Sequence, residues 1–258
     1  MTKSNGLLIT GLLLILVQIS RAHEPLFGLG PHTIYKYGYA LESELEKSAE
    51  GWTNHLELLY GLTPDWAITA TLPLQLENNH TVGNVSLRTK YRFYRQDLTG
   101  ASKQAALHAG VFLPSQKAVN ATDFFVGLSY GYESRRHYFF SGLRYRFNGN
   151  TKRFKRPDKW LFDVAYGIRP WLLEYLQPDP VFLLELNGES LTSRDGSNAS
   201  TVQKKNFLIS LSPGLLFSYR NLMFKAGAKI PVFSSLKSQT LPAVEYVLGL
   251  EFHFPPLR

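Results

Sequence analysis

The sequence predicts an all-β fold, a closed antiparallel transmembrane β-barrel of about twelve strands in up-and-down order. Three observations predict it. Apolar and polar residues alternate with period two along nearly the whole chain, with no helical interruption. The composition is rich in Tyr (14), Phe (17) and Gly (20), and beyond the N-terminus no apolar run is long enough for a spanning helix. The links between strands alternate between longer polar stretches and short turns.

The elements follow in order. Residues Tyr35 to Glu46 place Tyr37, Tyr39, Leu41 and Leu45 on one face, with Lys36, Gly38, Ala40, Glu42, Glu44 and Glu46 on the other. Trp52 to Leu62 sets Trp52, Leu56, Leu58 and Tyr60 against Thr53, His55, Glu57 and Gly61. Trp66 to Leu76 aligns Trp66, Ile68, Ala70, Leu72 and Leu74. A fourth strand sets Val85, Leu87, Tyr91 and Phe93 opposite Arg88, Lys90 and Arg92. The pattern then passes through Leu107–Leu113, Phe124–Tyr132, Phe139–Phe147, Trp160–Ile168, Phe182–Leu186, Phe207–Leu211 and Leu222–Ile230. It ends on Val244, Tyr246, Leu248, Leu250, Phe252 and Phe254.

A soluble sandwich also alternates, so the links decide. After odd strands they are mostly longer and polar: Lys47–Gly51, Glu77–Thr81, Pro114–Ala121, Asn148–Pro157, Ser190–Lys205 and Ser234–Thr240. After even strands they are mostly short, as at Thr63–Asp65, Gln96–Ser102, Ser134–Arg135 and Tyr219–Asn221; Leu172–Pro180 is the long exception. That is the pattern of external loops and periplasmic turns. An even strand count puts both ends of the barrel chain on the periplasmic side, and Trp and Tyr near strand ends suit an interfacial girdle.

The N-terminus reads as an export signal. Lys3 precedes the mostly apolar run Leu7–Ile19, and Ser20-Arg21-Ala22 offers small residues at a cleavage site. The expected organisation is a signal peptide over 1–22, an N-terminal periplasmic segment over 23–33, and a barrel over 34–258. An uncleaved anchor is the competing reading. Loss of residues 1–22 removes Lys3 and Arg21, leaving 26 basic against 20 acidic residues, a net of about +6. The charge is spread along the chain and does not point to nucleic acid. Cysteine is absent, which suits a barrel held by its hydrogen-bond ladder better than a disulfide-stapled secreted domain. Beside that absence, the acceptor patterns at Asn79, Asn84, Asn120 and Asn198 read as chance matches in polar loops.

With the apolar faces toward lipid, the alternate faces line the interior. A basic set, Arg88, Lys90, Arg92, Arg144, Arg146, Lys225 and Lys229, is expected to stand apart from an acidic set, Glu42, Glu44, Glu57, Glu185, Glu245 and Glu251, joined by Glu189. Opposed clusters across an aqueous lumen would select solutes by charge and shape. The alternative is a salt-bridge network that fills the barrel. His55, His108 and His253 share the inward face. His23-Glu24 and His32, flanking Gly28–Pro31, offer a metal site near the periplasmic mouth as the alternative, a filled binding barrel with a metal-binding N-terminal segment. Their spacing matches no metal-ligand motif, so the expectation is polar wall or loop residues with no metal or other cofactor. His137 and Ser141 lie on one outward face, about 13 Å apart along an extended strand. That is too far for a nucleophile and its base, so no enzymatic activity is expected; a lipid-modifying barrel is the lesser alternative. The loop bearing Lys152, Arg153, Lys155, Arg156 and Lys159 would meet lipopolysaccharide phosphates or gather anionic solutes.

Two stretches carry a family resemblance: His23-Glu24-Pro25-Leu26-Phe27-Gly28-Leu29-Gly30-Pro31-His32, and the strand–turn–strand Leu58-Leu59-Tyr60-Gly61-Leu62-Thr63-Pro64-Asp65-Trp66, followed by an apolar strand with Pro73. They resemble the outer-membrane transporter-like barrels of the phenol-degradation meta-pathway family, which are related in architecture to hydrocarbon-uptake barrels. The resemblance implies passage of small solutes, hydrophobic or aromatic ones among them, through a Gram-negative outer membrane. The expected partners are outer-membrane lipids and lipopolysaccharide, the barrel-assembly machinery and a small-molecule solute. One departure touches assembly: such barrels commonly end on an aromatic residue, whereas Phe254 is followed by Pro255-Pro256-Leu257-Arg258.

Overall fold

Period-two alternation gives each strand an apolar and a polar face, and in lipid the strand edges must also find partners. Both demands are met by closing the sheet. The computed structural model describes residues 24–77, 81–115, 121–150, 156–172, 177–194, 203–235 and 241–255. The expected signal peptide, His23, His80, Asn79, Asn120, Asn198 and the loop cations Lys152, Arg153 and Lys155 lie outside the described residues.

Twelve strands form the wall: β1 (Tyr39–Ser48), β2 (Gly51–Thr63), β3 (Trp66–Gln75), β4 (Val85–Leu98), β5 (Ala101–Leu113), β6 (Asp123–Ser134), β7 (His137–Phe147), β8 (Lys159–Ile168), β9 (Asp179–Arg194), β10 (Gln203–Tyr219), β11 (Leu222–Ser234) and β12 (Glu245–Phe254). Each pairs antiparallel with its neighbours in sequence, and β1 closes on β12 with Tyr39 opposite Phe254 and Glu42 opposite Glu251. Tyr39 and Phe254 stack at the seam, with ring centroids 4.7 Å apart.

The links follow the expected alternation with one change. Pro64-Asp65, Thr99-Gly100, Arg135-Arg136 and Arg220-Asn221 are two-residue turns at one end of the barrel. The β8–β9 link shares that end and is long. At the other end the links are long, except that β1 and β2 join through Ala49-Glu50 alone. Gly51, at φ 118°, takes a conformation that lets the hairpin close without a longer loop. Strand β1 also starts later than the sequence pattern suggests. Tyr37 has φ 62°, and Gly38 donates to the Tyr35 carbonyl at 3.0 Å, so the chain turns sharply before joining the wall.

The outer surface is the apolar one. Leu41, Leu58, Leu87, Leu107, Phe124, Leu128, Leu143, Tyr166, Phe182, Leu184 and Leu248 are all exposed. Strands of ten to seventeen residues are long enough to cross a hydrocarbon layer when tilted. A soluble protein would not present so continuous an apolar belt to water. Near the short turns, Trp66 sits in the girdle position and its indole donates to Thr89 Oγ1 at 2.6 Å. We expect Leu128→Arg, mid-strand on the lipid face, to lower barrel stability in liposomes by about 2–4 kcal/mol in a urea titration. An unchanged midpoint would place Leu128 away from lipid.

Candidate functional site

Facing inward, β7 to β10 are apolar near the short turns. Tyr138, Phe140, Ala165, Val181, Leu183 and Leu216 form a buried cluster. Such a wall is stable in a barrel interior only if something apolar covers it. The cover is the N-terminal segment. Residues 24–34 run inside the barrel, and Leu26 packs on this cluster. Leu29, Pro31 and Ile34 are buried, with Ile34 packed on Ala40, Ala67 and Leu59 of the opposite wall. The sequence reading placed residues 23–33 in the periplasm. Residues 24–33 lie in the lumen instead, because the interior at this end is dry rather than aqueous.

The wall is shaped to receive the segment. A side chain on Gly214 would collide with Leu26. A Cβ at Gly127 would come within 2.9 Å of Leu29 Cδ1, and one at Gly131 within 2.8 Å of Pro31. Carboxylates then hold the backbone. Glu185, fully buried on β9, accepts hydrogen bonds from Leu26 N at 2.5 Å and Phe27 N at 3.1 Å. Asp163 on β8 accepts from Leu29 N at 3.2 Å. On the facing wall the Lys90 ammonium pairs with Glu24 and donates to the His32 carbonyl at 2.7 Å. The segment leaves through the short-turn end, where Thr33 Oγ1 donates to Pro64 O and Tyr37 N to Gly61 O, each at 2.7 Å.

The charged residues singled out from the sequence are not kept in two opposed camps. Arg88 donates to Glu57 at 2.5 Å. Lys225 bridges Glu42 at 2.7 Å and Glu251 at 3.1 Å, and Lys229 meets Glu245 at 3.0 Å. Neighbouring strands explain the mixing: β11 adjoins β12, so its lysines fall beside the acids of the seam. Arg146 and Arg156 both grip Asp123, at 2.6 and 2.9 Å, and Lys159 pairs with Glu189 at 2.5 Å. Arg156 and Lys159 are thus engaged with the wall rather than free for external phosphates. Arg92 reaches down to the β2–β3 turn, bonding Asp65 at 2.7 Å and Gln104 at 2.8 Å. Glu185 serves as an anchor for the plug. Among the described residues Arg144 and Glu44 make no direct ion pair, but Asp163 and Glu189 lie near enough to attract Arg144, and Lys225 and His55 near enough to attract Glu44.

Asp163, Asp123 and Glu24 carry the plug and the loop base, yet the sequence reading did not single the two aspartates out. A signal for the plug exists in the chain. At Tyr138-Phe139-Phe140, Val181–Leu184 and Leu215-Leu216-Phe217 both strand faces are apolar, which is the mark of a strand buried on both sides. His32 stands edge-on to Phe140, ring centroids 5.8 Å apart, with Nε2 3.2 Å from Glu133. Among the described residues no group of three potential ligands is placed to hold a metal ion. His137 Nδ1 meets Tyr166 OH at 2.7 Å on the outer surface, and Ser141 opposes Val164 and Tyr130 in the ladder.

Two cavities flank the plug. One, of about 140 Å³, lies against β1 to β6 and the adjoining β11 and β12, and is lined by Glu42, Glu57, Arg88, Lys90 and Lys225. The other, of about 70 Å³, lies between Phe27 and β7 to β11.

No family model and no curated protein sequence matches this chain. Solved structures do. The NanC porin superposes with a TM-score of 0.55 at 11% identity, over 83% of this chain and 98% of that one. The chain has the fold of a porin. OccAB4 of Acinetobacter baumannii aligns at a TM-score of 0.42 and 11% identity, covering 82% of this chain and 56% of its own. OpdK of Pseudomonas aeruginosa, solved with vanillate, aligns at 0.41 and 12%, covering 79% and 57%. The chain therefore spans little more than half the length of those two.

If wall carboxylates hold the plug, the amides of Leu26, Phe27 and Leu29 are protected from hydrogen exchange about as well as strand amides. We expect the double variant Glu185→Gln, Asp163→Asn to raise exchange in a peptide covering residues 24–34 at least tenfold, leaving strand peptides unchanged. Equal protection in both proteins would show that the carboxylates do not hold it.

Proposed function

We propose that the chain is an outer-membrane channel for small solutes in a Gram-negative bacterium, closed by its own N-terminal segment. One observation carries the reading: a porin-type barrel whose lumen is occupied by a strand-free stretch of its own chain, seated against wall glycines and hydrogen-bonded to wall carboxylates. A segment needed only for folding would be expected to join the sheet. This one stays outside the ladder and can withdraw without breaking it. The charged lumen wall toward the long loops then lies on the solute path. The resemblance at Leu58–Trp66 supports small hydrophobic or aromatic solutes as cargo, and the aromatic lining at Phe112, Phe125, Tyr138 and Phe140 suits them. Outer-membrane lipids would contact the apolar belt, lipopolysaccharide the long-loop end, and the assembly machinery the β12 strand ending at Phe254.

A second reading is a permanently filled structural barrel, favoured by the dry cluster around Phe140 and by the salt bridges. Conductance separates the two. The chain has no cysteine, so Leu26→Cys with Gly214→Cys introduces a single pair. We expect the oxidised pair to conduct negligibly in planar bilayers, and deletion of residues 24–34 to raise conductance at least tenfold. A deletion variant that forms a normal barrel and does not conduct would favour the structural reading. Export with cleavage after Ala22 belongs to the same proposal, and intact-mass measurement of the membrane-purified protein is expected to give a chain starting at His23.

A further inference from the structure

The cations of the short-turn end are unevenly spread. Lys36 and Arg220 stand singly, 4.7 and 5.3 Å from the ring centroids of Tyr37 and Tyr219. The β2–β3 turn, Pro64-Asp65, has none. The β6–β7 turn is Arg135-Arg136, and both are exposed. Arg135 lies across the neighbouring β4–β5 turn, where a Cβ on Gly100 would come within 3.0 Å of its Nε. The Arg136 carbonyl accepts from Arg169 N of the β8–β9 link at 2.8 Å. Three connections are thereby drawn into one edge.

Lys103 belongs to the same edge. Within β5, Gln104 and Ala106 are buried toward the lumen and Leu107 is exposed outside, so Lys103 projects from the lipid-facing surface. It is paired with Tyr132 of β6, and Ala101, two residues before it, is opposite Ser134 at the turn. That puts Lys103 about 7 Å from the rim. Among the described residues Lys103, Arg135 and Arg136 make no ion pair. The described acids nearest them are engaged elsewhere. Asp97 accepts from Arg95 on both oxygens at 3.0 Å, Asp179 pairs with Arg169 at 2.6 Å, and Glu133 faces His32 of the plug at 3.2 Å. The level of the cluster also counts. Tyr132 and Tyr166 stand on the same outer wall, Tyr166 OH meets His137 Nδ1 at 2.7 Å, and Trp171 and Leu172 follow Arg169, each 57% exposed. Aromatic residues so placed mark the membrane interface.

We propose that Lys103, Arg135 and Arg136 form a docking site for the headgroup phosphate of an anionic phospholipid, on the outer wall at the β5–β7 edge. A cation on the lipid side of a strand, level with an aromatic girdle, is out of reach of a soluble partner and faces headgroups. The Lys103 stem lies along the apolar wall with its ammonium at the rim, and each guanidinium fork matches phosphate oxygens. A phosphatidylcholine brings its own cation beside the phosphate, which three uncompensated positive charges repel. A phosphatidylglycerol brings none, so the edge selects it. The site rests on the outer-membrane reading, with the short turns toward the periplasmic leaflet, and on neither conduction nor the plug.

Tryptophan fluorescence of the full mature chain, folded into phosphatidylcholine vesicles, tests it without reading conduction. The chain has four Trp, so Trp52→Phe, Trp66→Phe and Trp160→Phe leave Trp171 beside the cluster. Trp52→Phe, Trp160→Phe and Trp171→Phe leave Trp66, beside the cation-free Pro64-Asp65 turn. The quenchers are phosphatidylglycerol and phosphatidylcholine with brominated acyl chains, added at equal mole fraction. Trp171 is expected to be quenched at least twofold more by the brominated phosphatidylglycerol, a preference that fades in high salt, and Trp66 about equally by both. Lys103→Gln, Arg135→Gln and Arg136→Gln together are expected to abolish the preference at Trp171. Equal quenching of Trp171 by the two lipids would overturn the site. So would the same preference at Trp66, which would report net charge alone, or a preference that survives the triple substitution. A conducting barrel without the preference would sink this inference and leave the channel. The preference in a barrel that never conducts would do the reverse.

Discussion

In hydrocarbon an unpaired strand edge has no water to turn to, and each open backbone group costs several kcal/mol. Everything else in this protein depends on that constraint. It forces β1 onto β12, and closure by twelve strands encloses a space too wide for wall side chains alone to fill. That space must be wet, or it must be filled by something else. Here the answer differs along the axis. Toward the long loops the inward faces carry Glu44, Glu57, Arg88, Arg144 and Arg146, and ion pairs with water can satisfy them. Toward the short turns the faces of β7 to β10 are apolar, and residues 24–34 complete a core there.

The alternation that makes the wall was fully legible from residue types. Strand number and antiparallel order follow from period two and link length, and closure follows from lipid; the two-residue β1–β2 turn did not, since it depends on Gly51. Strand ends were less legible, since they depend on single backbone conformations such as Tyr37 at φ 62° and Gly51 at φ 118°. The interior was legible only in part. Which residues face inward follows from parity, so Arg88 and Glu57 could be assigned to the lumen. Which of them meet does not, because pairing depends on register and tilt. Lys225 looked like a member of a separate basic wall, yet its strand adjoins β12, which places it between Glu42 and Glu251.

The plug was the largest omission, and its cause is physical. A segment without periodicity reads as a tail, and only its complement in the wall shows otherwise. That complement was present as glycines at 127, 131 and 214 and as apolar runs such as Val181–Leu184, where a strand facing water on one side would have alternated. A wall that is apolar on both faces requires a partner inside.

The manner of docking bears on whether the plug can move. Burial of Leu29 and Ile34 stabilises the seated state by about 1.5–3 kcal/mol each relative to water, the partly buried Leu26 adds less, and hydrogen bonds to charged groups add about 1.5–3 kcal/mol apiece. Withdrawal returns much of the polar share, because Glu185, Asp163 and the freed amides are rehydrated once water enters the lumen. The ladder between strands has no such compensation, since lipid offers its edges nothing. Opening the plug therefore costs less than opening the strand ladder. A covalent strand in its place would have filled the space equally well and could not have been released. The choice of carboxylates, glycines and a strand-free segment separates the stability of the wall from the occupancy of the path it encloses.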